Sequence, residues 1–346
     1  MRDSTLDFSK GVLILLVVLG HALQVTQEDF TSNAVFTGIY SFHMPLFFVL
    51  AGWSQWYSVS RRAAGIKISV LGKFKVLYLP YLIWSIVVIL PLWFDSGDWG
   101  VLARMLLNPF SSYWFLDILF FIFVYAKLGL DLVRGVWSSI VIVVIVLSVD
   151  YSIQHWFGGV LRLYYIVYYL PYFVFGYLVG RYAILERLDL YSSLSGVAKG
   201  LYIIALFLML AIIANGWGYE GAPSIIDRLI RDVGVIAEVS QYCFRFGIVL
   251  MAFIFISSLS LLMRGWVKSG LIGVGGMTLE IYVLHILLMN SLVGYIQDSY
   301  LLFVIVGAGT VFIVYLLRRL CSKASVFGLG YQVLFGRAIG NNRIRV

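Results

Sequence analysis

Leu6-Asp7-Phe8-Ser9-Lys10-Gly11-Val12-Leu13-Ile14-Leu15-Leu16-Val17-Val18-Leu19-Gly20-His21 opens the chain and decides its class. An uninterrupted apolar run of this kind, bracketed by ionisable residues, is a membrane span rather than one side of an amphipathic element. A bilayer core takes about 20 mainly apolar residues per helix. Ten such stretches occur, at 8–25, 35–57, 74–94, 113–133, 136–154, 160–180, 199–217, 242–262, 271–294 and 300–320. Of 346 residues, 62% are hydrophobic and 12% charged, against about half and about a quarter in soluble domains. A cytosolic enzyme, a disordered chain and a secreted disulfide scaffold are excluded, since the two cysteines, Cys243 and Cys321, make no framework. The runs are continuous rather than period two, which excludes an outer-membrane barrel. The expected fold is an all-α, polytopic integral membrane helix bundle of about ten transmembrane helices. Arg2 and Lys10 precede the first run as in a signal peptide. No small-residue cleavage site follows, so the run is read as an uncleaved first span.

Ten spans put both termini on one side, and Lys and Arg should crowd the cytoplasmic loops. Of the 25 basic residues, Arg104, Arg162, Arg228 and Arg231 fall on the opposite side and Arg245 inside a span. All others lie on the side of the termini, which predicts cytoplasmic ends. The formal charge of +8 is thus a topology signal and a contact for lipid or phosphate, with no nucleic-acid partner expected. Residues 1–320 read as the membrane domain and 321–346 as a basic cytoplasmic C-terminal tail. In the loop 218–241, Ile225, Ile226, Leu229, Ile230 and Val233 recur at helical spacing. That segment is either a short helix lying on the outer membrane surface or a connector.

Ionisable residues inside spans are costly and mark functional sites. Here they are chiefly Asp7, Lys10, His21, His43, Asp117, Glu280 and His285. Lys10 and His21 stand eleven residues apart, close to three full turns, so they share one side of the first helix about 16 Å apart along its axis. Asp7 falls within about 40° of the same stripe. His43 precedes Pro45, which lacks an N–H and so frees the Ser41 carbonyl. The pattern alone leaves two readings: rings in a shared polar cavity, or a His21 satisfied by a neighbouring helix and a His43 bonded to the carbonyl that Pro45 frees. On the ninth span, Glu280 and His285 are offset by about 140° and are not expected in one cluster. No metal site is expected.

Five segments carry a resemblance. Asp7-Phe8-Ser9-Lys10-Gly11 through Val17-Val18-Leu19-Gly20-His21, then Phe42-His43-Met44-Pro45-Leu46-Phe47-Phe48, resembles the start of the acyltransferase-3 family, bacterial integral-membrane O-acyltransferases that include the fucose 4-O-acetylase-like group. Tyr113-Trp114-Phe115-Leu116, Tyr172-Phe173-Val174-Phe175-Gly176 and Gly275-Gly276-Met277-Thr278-Leu279-Glu280-Ile281-Tyr282-Val283-Leu284-His285 resemble its later segments, in order. The resemblance implies transfer of an acetyl group from acetyl-CoA to a hydroxyl of a cell-surface glycan or its lipid-linked precursor, in the bacterial cytoplasmic (inner) membrane. Its basic-residue, ten-position, histidine motif falls on Lys10 and His21. The more familiar basic residue is arginine; lysine keeps the charge without the bidentate fork.

A neutral imidazole suits removal of a hydroxyl proton. His21 is therefore the expected general base and His43 its orienting or stabilising partner, with an acidic orienter wanted for His21. Lys10 and Asp7 complete the expected catalytic set. Lys10, Arg61, Arg62, Lys73 and Lys75 are candidates for the CoA phosphates, with ordinary positive-inside topology as their other reading. Trp114, Asp117, Glu280 and His285 are expected to line the substrate cavity. A glycan or lipid-precursor transporter, and a shuttle feeding acyl groups to a separate transferase, are the competing functions.

Overall fold

The computed structural model describes residues 4–60, 69–97, 100, 113–129, 163–183, 196–216, 234–322 and 325–336. Every regular element among them is helical. Numbered over these residues, the longer helices are α1 (Ser4–Thr26), α2 (Ala34–Ser60), α3 (Val70–Lys73), α4 (Leu79–Ser96), α5 (Trp114–Gly129) and α6 (Leu163–Arg181). They continue as α7 (Gly196–Asn215), α8 (Gly234–Leu262), α9 (Gly265–Gly275), α10 (Thr278–Leu292), α11 (Ser299–Cys321) and α12 (Ser325–Phe335). A 3₁₀ turn, Phe30–Ser32, joins α1 to α2, and a π-helical stretch, Phe74–Tyr78, joins α3 to α4.

Among the described residues six helices are long and apolar enough to cross a membrane, and a seventh crossing results if α9 and α10 count as one. The chain is an all-helical, multi-pass membrane protein. The expected span at 136–154, Arg61, Arg62 and the surface segment 225–233 lie outside the described residues. The helix expected from 242 instead begins at Gly234, so part of the expected outer loop is helical. Residues 321–346, read as a tail, include the helix α12.

The stretch expected as one span at 271–294 is broken: α9 and α10 meet at 81°. The Gly275-Gly276 pair explains the break. The Gly276 and Met277 N–H groups donate back to the Ile272 and Val274 carbonyls, at 3.0 and 2.8 Å. The Thr278 hydroxyl donates to the Gly275 carbonyl at 2.7 Å, restarting the chain as α10. The Gly276 and Met277 N–H groups and the Gly275 carbonyl are thus satisfied within the chain at the bend.

The chain divides into two compact units, Met1–Trp56 with Gly176–Phe312, and Tyr57–Phe175 with Ile313–Val346. In the first, α1 packs against α8, α9 and α10. Two glycines permit the closest approach. A Cβ on Gly11 would collide with the Leu271 carbonyl oxygen, and one on Gly275 with the Asp7 carbonyl oxygen. Gly176 meets the Val49 carbonyl in the same way. Small residues at such crossings are how membrane helices gain contact when no hydrophobic force drives them together. On α7, Val197, Leu201, Ile204 and Ile212 are exposed, as expected for a side meeting acyl chains.

In the second unit α12 packs on α4. The Trp84 indole N–H donates to the Leu334 carbonyl at 2.8 Å, and Trp84 lies 5.7 Å from the Phe335 ring. Beyond α12, Gly336 turns at φ +64°, where a Cβ would strike the Val76 backbone.

Candidate active site

α1 carries His21 one turn before Gln24. The His21 Nδ1 and Gln24 Oε1 atoms are 3.1 Å apart, and the Tyr40 hydroxyl donates to the same Oε1, also at 3.1 Å. A carboxamide oxygen only accepts, so Nδ1 holds the ring proton and Nε2 keeps a lone pair. Gly20 makes room for this: a Cβ there would sit 2.8 Å from the Tyr40 ring. The Nδ1 partner of His21 is thus a neutral amide, because Gln24 lies on the same side of α1 and reaches the ring within one turn.

α2 supplies the second imidazole. His43 is buried, and its Nδ1–H donates to the Ile39 carbonyl at 2.9 Å. Its Nε2 is accordingly the accepting atom of the neutral ring. The Tyr40 ring lies beside both histidines, 4.6 Å from His43 and 6.5 Å from His21, and stacks on Phe36 at 4.0 Å. Asn33 starts this helix by accepting from the Val35 and Phe36 N–H groups. In the preceding turn Asp29 accepts from the Ser32 and Thr31 hydroxyls, which holds its exposed carboxyl below the usual carboxylate range.

α10 brings a third imidazole. His285 is fully buried and lies 5.4 Å from His21, centroid to centroid, with the planes tilted by 35°. Its Nδ1–H donates to the Ile281 carbonyl at 2.9 Å, while its buried Nε2 has no hydrogen-bond partner among the described residues. The cluster of His21, His43 and His285 is therefore built from three helices. His285 reaches α1 on a helix that follows the 81° break after α9.

α8 contributes a residue that sequence reasoning noticed only as a charge in a span. Arg245 donates from Nε to the Ser41 carbonyl at 3.1 Å and from Nη2 to the Tyr40 carbonyl at 3.0 Å. The signal was present: Pro45 leaves Ser41 without its helical donor, and a buried carbonyl must find another.

The remaining candidates lie elsewhere. Asp7 is buried and Lys10 half-buried, both near the start of α1, away from His21 at its far end. Glu280 is buried in the first turn of α10. In the second unit the Lys73 ammonium sits 3.6 Å over the Phe123 ring, Lys75 is exposed and Asp117 is buried on α5. Trp114 lies 5.9 and 5.6 Å from Tyr165 and Tyr169. Among the described residues no three His, Cys, Asp or Glu side chains gather to hold a metal ion.

Two relatives share the name Nodulation protein NolL. That of Sinorhizobium fredii (strain NBRC 101917 / NGR234) is 33% identical over 139 residues, 37% of this chain and 36% of the relative. That of Mesorhizobium japonicum (strain LMG 29417 / CECT 9101 / MAFF 303099) is 25% identical over 237 residues, 63% of this chain and 57% of the relative. The matches thus span 36% and 57% of the two relatives' lengths. No solved structure matches the chain. The acyltransferase-3 profile, described as an acyltransferase domain, matches residues 3–319, a stretch that includes all of α1 and reaches the last turn of α11. The chain belongs to the acyltransferase-3 family.

Proposed function

We propose that this protein is a membrane O-acyltransferase that moves an acetyl group from acetyl-CoA to a hydroxyl of a cell-surface glycan or its lipid-linked precursor, in the bacterial cytoplasmic membrane. The observation that carries this reading is the His21–Gln24 contact, which holds the proton on Nδ1 and presents Nε2 as a base. Family membership supports the reaction class.

In this reading the acceptor O–H bond breaks and its proton passes to His21 Nε2 as the oxygen attacks the thioester carbonyl carbon. The tetrahedral intermediate then expels the CoA thiolate, which takes the proton back from His21. With its Nδ1–H committed to Ile39, neutral His43 offers only a lone pair. It therefore suits accepting from a second, neighbouring hydroxyl of the acceptor better than donating to the oxyanion. Lys10, about 16 Å along α1 from His21, suits the donor's phosphates. The acceptor then reaches His21 from the outer half of the membrane and CoA enters from the cytoplasm.

The test incubates purified protein with labelled acetyl-CoA and a glycan-lipid extract of the bacterial host, beside His21→Ala. Alkali-labile label on glycan that disappears in the variant is the expected result. Labelled glycan from folded His21→Ala would remove His21 as the base. Free CoA without labelled glycan would favour the acyl shuttle, and absence of acetyl-CoA binding would favour a transporter.

A further inference from the structure

We propose that Arg245 is a positioning residue for acyl transfer, holding His21 in its working orientation through the first turns of α2. The inference rests on His21 being the base, as proposed above, and extends that reading to a residue on a different helix.

An arginine inside an apolar helix is retained only where its charge and donors are used. Arg245 directs two donors at consecutive carbonyls, Tyr40 and Ser41. Ser41 is fully buried, and Pro45, four residues on, cannot supply the usual helical N–H. One arm of the guanidinium therefore replaces a bond that the α2 sequence has deleted. The other arm fixes the backbone of the residue whose side chain matters most. From the Tyr40 backbone the connection continues through its hydroxyl to Gln24 Oε1, which also receives the His21 Nδ1–H. Gly20 lets the Tyr40 ring rest directly on α1, so a shift of α2 is felt at Gln24. A planar fork spanning two carbonyls resists rotation as well as translation, which a lysine ammonium does not.

A purely structural arginine would give a different result, because its loss would lower stability and leave the chemistry of the folded fraction intact. The two roles separate in a set of variants of the full chain in lipid nanodiscs, assayed by CoA release from acetyl-CoA in the presence of the glycan-lipid extract. Arg245→Met should lower kcat by about tenfold to a hundredfold, the range expected of a small misplacement at a reacting centre. The KM for acetyl-CoA should stay within about twofold, because uniform donor binding is untouched. Arg245→Lys should fall between the two. Adding Pro45→Ala returns an N–H to the Ser41 carbonyl, and should restore the melting temperature of Arg245→Met but not its kcat.

Tyr40→Phe provides the decisive cycle. Residues acting along one connection are non-additive, so Arg245→Met with Tyr40→Phe should be no slower than the slower single variant. Multiplied losses in that double variant, or recovery of kcat with Pro45→Ala, would overturn the proposal. The His21→Ala control keeps the two readings apart. If it retains activity, the base assignment fails; if it is inactive and the losses multiply, only the role of Arg245 fails.

Discussion

His21 Nδ1 and Gln24 Oε1 lie 3.1 Å apart within α1, so the candidate base and the group that fixes its tautomer belong to a single helix. Their backbone spacing is set within α1, and their side chains are tied to the packing of α2 through Tyr40. Only the second donor to Gln24, the Tyr40 hydroxyl, comes from elsewhere.

Gln24→Leu should leave folding intact and lower kcat by about 100-fold or more, because the ring loses the contact that selects its tautomer; the comparable loss in a serine-protease triad is about 10⁴. Gln24→Glu keeps an accepting oxygen and should retain most activity. Steady-state rates of the two variants, each normalised to folded protein, check this. Equal losses would show that the accepting oxygen is not what matters.

His285→Leu should separate stability from activity. The unpartnered buried Nε2 carries a desolvation cost of about 1–3 kcal/mol, which leucine removes. The melting temperature should hold or rise while transfer falls. Thermal unfolding followed beside the transfer assay measures both, and a large drop in melting temperature would mean that His285 is held for packing instead.

Gly11→Ala and Gly275→Ala each drive a methyl group into a backbone carbonyl of the facing helix. Each should cost at least about 1–3 kcal/mol, since main chain cannot turn aside as a side chain can. Gly200, inside α7, has nothing within 4 Å of its would-be Cβ. Gly200→Ala should therefore be neutral or stabilise by up to about 1 kcal/mol. Denaturation midpoints of the three proteins in one detergent decide it.

Trp84→Phe keeps an aromatic ring beside Phe335 and removes the N–H that holds the Leu334 carbonyl. Amide exchange should accelerate across 325–336 and stay unchanged in α1. Protection unaltered in α12 would show that ring packing alone retains it.

The class of fold was legible because apolar runs of membrane length are hard to read otherwise. The site was legible only in part. Lys10, His21 and His43 stood out as ionisable residues in apolar runs, and the family motifs fell on them. Gln24 did not, because an uncharged amide near a span end raises no alarm, although its spacing from His21 was visible. Arg245 was visible as a charge, but its partners are main-chain carbonyls, which have no letter in a sequence. The position of His285 depends on a bend between two glycines, and an i, i+5 offset computed on a straight span could not place it against α1. The acceptor sugar leaves no mark in residue type at any of these positions.

The Gly11–Gly275 contact has a consequence for biosynthesis. Gly275, which Gly11 meets on α9, is made about 260 residues later, which at ordinary translation speeds is a delay on the order of tens of seconds. Through that interval α1 is in the membrane with Asp7, Lys10 and His21 on a helix whose α9 and α10 neighbours do not yet exist. A nascent chain halted before residue 265 should thus present an α1 open to insertion chaperones and to the membrane quality-control proteases. Completion of α9 is the event that closes this window, so the same close-packed glycines that define the mature bundle also time its escape from surveillance.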